Sequence, residues 1–149
     1  MSRKALQLLL EQVTEKEQKA AQEFAASQMQ LQAYRQQLKQ LYEYQRTYMT
    51  QLSIKALEGL DAAGFSHYQS FISRLETAAR EQHAAIIQSE KQLEQKRLIW
   101  TRAQTKRKSF ELLIDKQLER EEARLLRQEQ LLQDEYSITQ FVRRSRESS

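Results

Sequence analysis

The sequence predicts an all-α fold: a long two-helix antiparallel coiled-coil hairpin whose second helix is the longer and overhangs at its C-terminal side. Three observations predict it. Proline is absent from all 149 residues. The only two glycines, Gly59 and Gly64, lie within one short stretch. Apolar residues recur at heptad spacing on both sides of that stretch. A compact helical domain needs a turn every fifteen residues or so, and the residues that make such turns are missing from 1–58 and 65–149. Hydrophobic residues make up 40% and charged residues 30% of the chain, a balance that suits one buried seam with a wet exterior.

The first helix is expected over residues 3–58. Steps of four and three from Leu6 meet Leu10, Val13, Glu17, Ala20, Phe24, Ser27, Leu31, Tyr34, Leu38, Leu41, Gln45, Tyr48 and Leu52. Eleven of these fourteen positions are apolar or aromatic, which makes a heptad seam without a break. Such a helix is about 80 Å long at the standard rise, so its partner must also be long. Residues 59–65 are the one stretch suited to a hairpin turn, and a short connection makes the helices antiparallel neighbours. Folding about residue 62 pairs residue i with roughly 124 minus i.

The second helix is expected over 66–141, with Ser66 and Gln69 at capping-box spacing. Ile72, Ala79, Ile86, Leu93, Trp100 and Ile114 share one heptad position, with Arg107 as the exception. Leu75, Ala103 and Phe110 fill the companion position, but Gln82, Ser89 and Lys96 also fall there, so this seam is thinner. The phase slips by one residue after Ile114, and Leu118, Leu125 and Leu132 continue at sevenfold spacing. A slip of this kind is a stutter, which changes the supercoil locally. Everything beyond about residue 121 is expected to lack an internal partner. The overhang nevertheless carries Leu125, Leu126, Leu131, Leu132, Ile138, Phe141 and Val142, an invitation to another chain. Residues 142–149 are expected to be a flexible tail, and the whole of 1–149 a single domain.

Several function classes find no residues to carry them. His67 and His83 are sixteen residues apart, whereas a helical metal pair sits three or four apart. There is no Gly-rich phosphate loop, and no set of side chains is placed for catalysis, so neither enzyme activity, nor a metal, nor a cofactor is expected. The carboxylates of Glu119, Glu121 and Glu122 alternate with Arg120, Arg124 and Arg127, as on a solvated, salt-laced face. Cysteine is absent, which excludes disulfides. The run Leu8-Leu9-Leu10 is too short for a signal peptide or a membrane span, and a soluble cytoplasmic protein without direct membrane insertion is expected.

Two surfaces invite a functional reading. Lys91–Lys108 holds seven basic residues against one acid, Glu94, with Trp100 among them. It reads either as a docking surface for an acidic partner or nucleic acid, or as a solvated face with Trp100 in the seam. The net charge of +4 permits acidic partners without demanding nucleic acid. The aromatic residues are the sharper signal. Five of the six tyrosines fall between residues 34 and 68, and Phe65 and Phe71 lie beside them. A two-helix pair buries only one stripe of each helix, and this region offers more apolar and aromatic surface than one stripe. The bland alternative is that the tyrosines thicken a weak seam and keep their hydroxyls wet.

The runs Leu38-Lys39-Gln40-Leu41-Tyr42-Glu43-Tyr44-Gln45-Arg46-Thr47-Tyr48 and Tyr68-Gln69-Ser70-Phe71-Ile72-Ser73-Arg74-Leu75-Glu76-Thr77-Ala78 resemble the flagellar FliJ family of the type III export apparatus. The resemblance extends over essentially the whole chain. It implies a coiled coil similar to the central stalk of rotary ATPases. It further implies a non-enzymatic protein that binds the flagellar export ATPase hexamer, promotes its assembly and activity, contacts the cytoplasmic domain of the membrane export gate, and escorts export chaperones. The implied location is cytoplasmic, at the inner membrane beneath the flagellar base. The gate-contacting set resembles Gln37, Leu41, Tyr44 and Tyr48 on the first helix with Phe71, Leu75, Ala78 and Gln82 on the second. A close family relative carries a histidine at the Gln82 position, whereas here the histidine is His83, about 100° further round the helix. The overhang with Leu125 and Leu132 is the implied ATPase contact. A structural tether, an injectisome homologue and a basic nucleic-acid binder are the alternatives.

Overall fold

A computed structural model describes residues 2–148. It consists of two α-helices, α1 (Arg3–Glu58) and α2 (Ala62–Glu147), packed against each other as a helical hairpin. There is no strand among the described residues. Ser2 caps α1, its hydroxyl oxygen accepting the Ala5 N–H at 3.2 Å.

The turn is tighter than the sequence predicts. Gly59 has φ +98°, the left-handed conformation that ends helices and that a Cβ disfavours. Its N–H donates to the Ala56 carbonyl at 3.3 Å. Two residues later α2 is already capped. The Asp61 carboxylate accepts the Gly64 N–H at 2.8 Å, and the Asp61 carbonyl accepts the Phe65 N–H at 3.0 Å. Gly64 is needed for close approach: a Cβ there would lie 2.6 Å from Leu60 Cδ1 and 2.8 Å from Asp61 Oδ1. The expected start at Ser66 is therefore corrected to Ala62, and Ser66 and Gln69 form no capping box. Asp61, two residues after Gly59, takes that role.

The expected end of the second helix at Phe141 is corrected as well. α2 continues through Phe141 to Glu147, and Ser148 donates its N–H to the Arg144 carbonyl at 3.1 Å. No breaker interrupts these residues, and Arg144 and Arg146 in the last turn suit the negative end of the helix dipole. Ser149, the last residue of the expected tail, lies outside the described residues.

The sequence reading treated 1–149 as one domain. The contacts divide the chain into two compact units, Lys16–Ala103 and Met1–Glu15 with Gln104–Ser149. In the first unit Ala20, Leu31, Ala79 and Ile86 are buried, and Phe24 stacks on Trp100 with ring centroids 5.3 Å apart. In the second unit Leu6 and Val13 are buried, and Phe110, Ile114 and Leu118 are half-buried. All the heptad positions named above on α1 are buried or half-buried. Among the described residues no large side chain is fully enclosed, because a pair of helices leaves each seam residue open to water on one side.

The polar residues of the α2 seam are accommodated in different ways. The Gln82 side-chain amide donates to the Tyr34 carbonyl and to Gln37 Oε1, both at 3.0 Å. Lys96 Nζ pairs with Glu23 across the seam at 3.2 Å. Ser89 is simply small, 3% exposed, with a hydroxyl that has no partner. Its size lets the helices approach closely, at the cost of one unsatisfied polar group.

Candidate functional site

The residues nearest the turn build two different flanks on the Lys16–Ala103 unit. Successive side chains on a helix are 100° apart, so residues spaced by three and four share a face. Gln37, Leu41, Tyr44 and Tyr48 share one face of α1. Phe71, Leu75, Ala78 and Gln82 share one face of α2. Ring and amide contacts join the two sets. Tyr48 meets Phe71 with centroids 4.3 Å apart and Tyr68 at 6.3 Å. Gln82 reaches Gln37. The pairing of Tyr48 with Phe71 and Tyr68 differs from the expected register, which put Tyr48 near Glu76. Glu76 instead accepts a hydrogen bond from Gln45 at 3.3 Å. Glu23 with Lys96 and Gln37 with Gln82 depart from the expected pairing in the same sense, whereas Phe24 and Trp100 keep it.

This flank is part core and part surface. Leu41, Tyr48, Phe71, Leu75, Ala78 and Gln82 are half-buried, and Gln37 is exposed. Tyr44 is 58% exposed, an aromatic ring held on a helix with no ring partner among the described residues. Phe65 is 45% exposed nearby in the sequence. A ring such as Tyr44 offers large contact area at little entropic cost, and this is the composition of binding hot spots.

The opposite flank carries a shallow groove of about 360 Å³ lined by Tyr42, Gln45, Glu76, Ala79, Arg80 and His83. His83 thus lies on the groove and away from the Gln37–Gln82 contact, as its displacement round the helix requires. The groove escaped sequence reasoning. Its signal was the same three-and-four spacing, shifted by one residue on each helix. No group of three or more metal-ligating side chains comes together among the described residues. His67 packs edge-on near Tyr68 at 6.4 Å.

The basic segment Lys91–Lys108 is partly neutralised. Lys96 pairs with Glu23, Arg97 with Glu94 at 2.6 Å, and Arg107 with Glu111 at 2.8 Å. The hydrogen bond from Arg97 holds the Glu94 carboxyl below its ordinary value of 4.5, and the same bond raises the Arg97 guanidinium. Trp100 is half-buried against Phe24.

In the other unit, Leu125 and Leu132 are 53% and 65% exposed. Tyr136 shares their face, and Leu131, Ile138 and Val142 form a second exposed stripe. Shallow grooves there are lined by Ile138, Thr139, Val142, Arg143, Arg146 and Glu147, and by Tyr136, Ser137, Gln140, Phe141 and Arg144. No helix among the described residues is long and apolar enough to cross a membrane.

A protein-family model described as flagellar FliJ protein matches residues 2–146. No curated protein and no solved structure matches the chain.

Proposed function

The chain belongs to the FliJ family, components of the flagellar export apparatus, and from that premise we propose that it acts as a non-enzymatic coiled coil linking the export ATPase to the export gate. The flank of Gln37, Leu41, Tyr44, Tyr48, Phe71, Leu75, Ala78 and Gln82 takes the cytoplasmic domain of the gate. The exposed stretch of α2 with Leu125 and Leu132 takes the ATPase hexamer and promotes its assembly. Export chaperones are handled by the same protein, at the cytoplasmic face of the membrane.

The observation that supports this reading best is Tyr44. It is an exposed aromatic ring on a rigid helix, next to the half-buried Tyr48–Phe71 pair, and it is not needed to hold the two helices together. Binding energy concentrates in such anchors. Tyr44→Ala is therefore expected to abolish capture of the gate's cytoplasmic domain while leaving the helical circular dichroism unchanged. Gate binding that survives Tyr44→Ala removes the site.

The ATPase half of the proposal has its own experiment. ATP hydrolysis and ring formation by the organism's flagellar export ATPase are measured with and without this protein. Stimulation that is lost when the chain is truncated after Arg120 places the contact on the distal part of α2. No stimulation at saturating protein rejects the ATPase role.

A further inference from the structure

α2 carries a second repeat that the seam does not use. Arg80, Lys91 and Arg102 follow one another at intervals of eleven residues, and so do Ile87 and Leu98 between them. Eleven residues make close to three full turns, so the stripe runs nearly straight along one face of the helix. At 100° per residue these five side chains fall within an arc of about 60°. All five belong to the Lys16–Ala103 unit, and all five are exposed, Ile87 to 44% and Leu98 to 40%.

The charges on this stripe differ from their neighbours. Lys96 and Arg97, which point elsewhere, are already paired with Glu23 and Glu94. Glu90, beside Lys91 in sequence, is turned to Arg35 at 3.2 Å. Lys91 and Arg102 have no ion pair among the described residues. Arg80, which also borders the groove of Tyr42 and His83, makes one long hydrogen bond, to the Thr77 hydroxyl at 3.4 Å, and has no ion pair among the described residues. Among residues 80–102 no acid falls within that arc; Glu94 stands about 20° beyond its edge and is bonded to Arg97. Three unneutralised cations thus alternate with two exposed branched apolar side chains over the 23 residues from Arg80 to Arg102, which is about 33 Å of helix.

We infer that this outward stripe of α2, from Arg80 to Arg102, is a docking face for an acidic amphipathic helix of a partner protein, about six turns long, whose carboxylates meet Arg80, Lys91 and Arg102 and whose apolar side chains cover Ile87 and Leu98. Charge complementarity selects this occupant. On a helix that lies in a lipid surface the cations flank a continuous apolar face. Here Lys91 and Arg102 stand between the apolar residues, where immersion in acyl chains would desolvate them without a partner. Nucleic acid would meet the cations but would leave the Ile87 and Leu98 contacts unused. An acidic helix satisfies both.

The test uses the full-length chain and a fluorescein-labelled synthetic helical peptide of about 25 residues, with Leu on one stripe and Glu beside it. Fluorescence anisotropy is read at low and at physiological salt. The same peptide with Lys in place of Glu, vesicles rich in phosphatidylglycerol, and duplex DNA of mixed sequence serve as rival ligands. Saturable binding of the acidic peptide is expected, weakened about tenfold by K91E with R102E. Leu98→Ser with Ile87→Ser is expected to weaken it as well, and the Lys peptide is expected not to bind. All four positions are exposed, so circular dichroism should not change. Three results overturn the inference. The first is no saturable binding of the acidic peptide at low salt. The second is binding that both double variants leave unchanged. The third is tighter binding of vesicles or DNA that K91E with R102E removes. None of these readouts involves the export ATPase or the gate, so they stand apart from the function proposed above.

Discussion

The seam of the Lys16–Ala103 unit and the stretch of α2 beyond Glu121 both carry apolar residues at helical spacing, with opposite fates. In the first, Leu31 is 4% exposed and Ile86 6%, and Phe24 and Trp100 stack. In the second, every residue from Glu122 to Thr139 is exposed, Leu125, Leu126, Leu131 and Leu132 among them. Both stretches are helical, for α2 runs unbroken through Ala62–Glu147. The difference lies in whether a second helix covers the stripe. Apolar periodicity on a long helix thus marks where a partner fits, and it does not say whether the partner belongs to the same chain.

The largest expected effect tests that contrast directly. Leu31→Ala and Ile86→Ala should each cost about 3 kcal/mol, seen as a lower midpoint in thermal or urea unfolding followed by circular dichroism. Leu125→Ala and Leu132→Ala should each stay within about 0.5 kcal/mol of the parent. Equal losses in both pairs would break the comparison and mean that another molecule covers the distal stripe in solution.

Trp100→Ala sharpens the seam side. Losing a half-buried ring stacked on Phe24 should cost about 2 kcal/mol, less than a fully buried tryptophan. Tryptophan emission of the parent should shift to the red at the same midpoint as the loss of helix.

The turn gives a smaller effect. Asp61→Ala removes the acceptor for the Gly64 N–H and should cost about 1 kcal/mol. Gly59→Ala forces a Cβ into a left-handed conformation and should cost about as much. Ser66→Ala, at the position expected from sequence to cap the helix, should be close to neutral in the same unfolding assay.

The smallest effect is electrostatic and belongs to the solvated face. Arg97 lowers the Glu94 carboxyl, so the pair contributes at pH above the ordinary glutamate value of 4.5 and its contribution is lost as pH falls through the lowered value. Glu94→Gln should therefore remove a small increment of stability at neutral pH, reduced by added salt, and none in strong acid. A Glu94→Gln loss that persists in strong acid would show that the carboxylate charge is not the cause.

How far the site was legible follows from its spacing. That Gln37, Leu41, Tyr44 and Tyr48 share a face could be read from three-and-four steps, because a helix converts sequence distance into angle; the set of Phe71, Leu75, Ala78 and Gln82 is what the family resemblance implies. The groove of Tyr42, Arg80 and His83 could not, since it exists only where two particular flanks meet. The stripe of Arg80, Lys91 and Arg102 was contained in the sequence as an eleven-residue repeat. It became distinct once Lys96, Arg97 and Glu90 were seen to be occupied elsewhere.

The sequence by itself determined the helices and their single reversal. Breakers act locally: without proline, and with glycine confined to Gly59 and Gly64, the chain has one place to turn. It also determined which stripe of α1 faces inward, because heptad periodicity is a property of one strand of sequence. Only the tertiary structure decided the cap, the register and the accommodation of polar seam residues. Asp61, two residues after the left-handed Gly59, caps α2 in place of Ser66, and across the seam Tyr48 meets Phe71. Gln82 and Lys96 tolerate the seam because α1 presents the Tyr34 carbonyl and Glu23 opposite them, which is a matter of which atoms meet across two helices, and no periodicity in either helix alone encodes it.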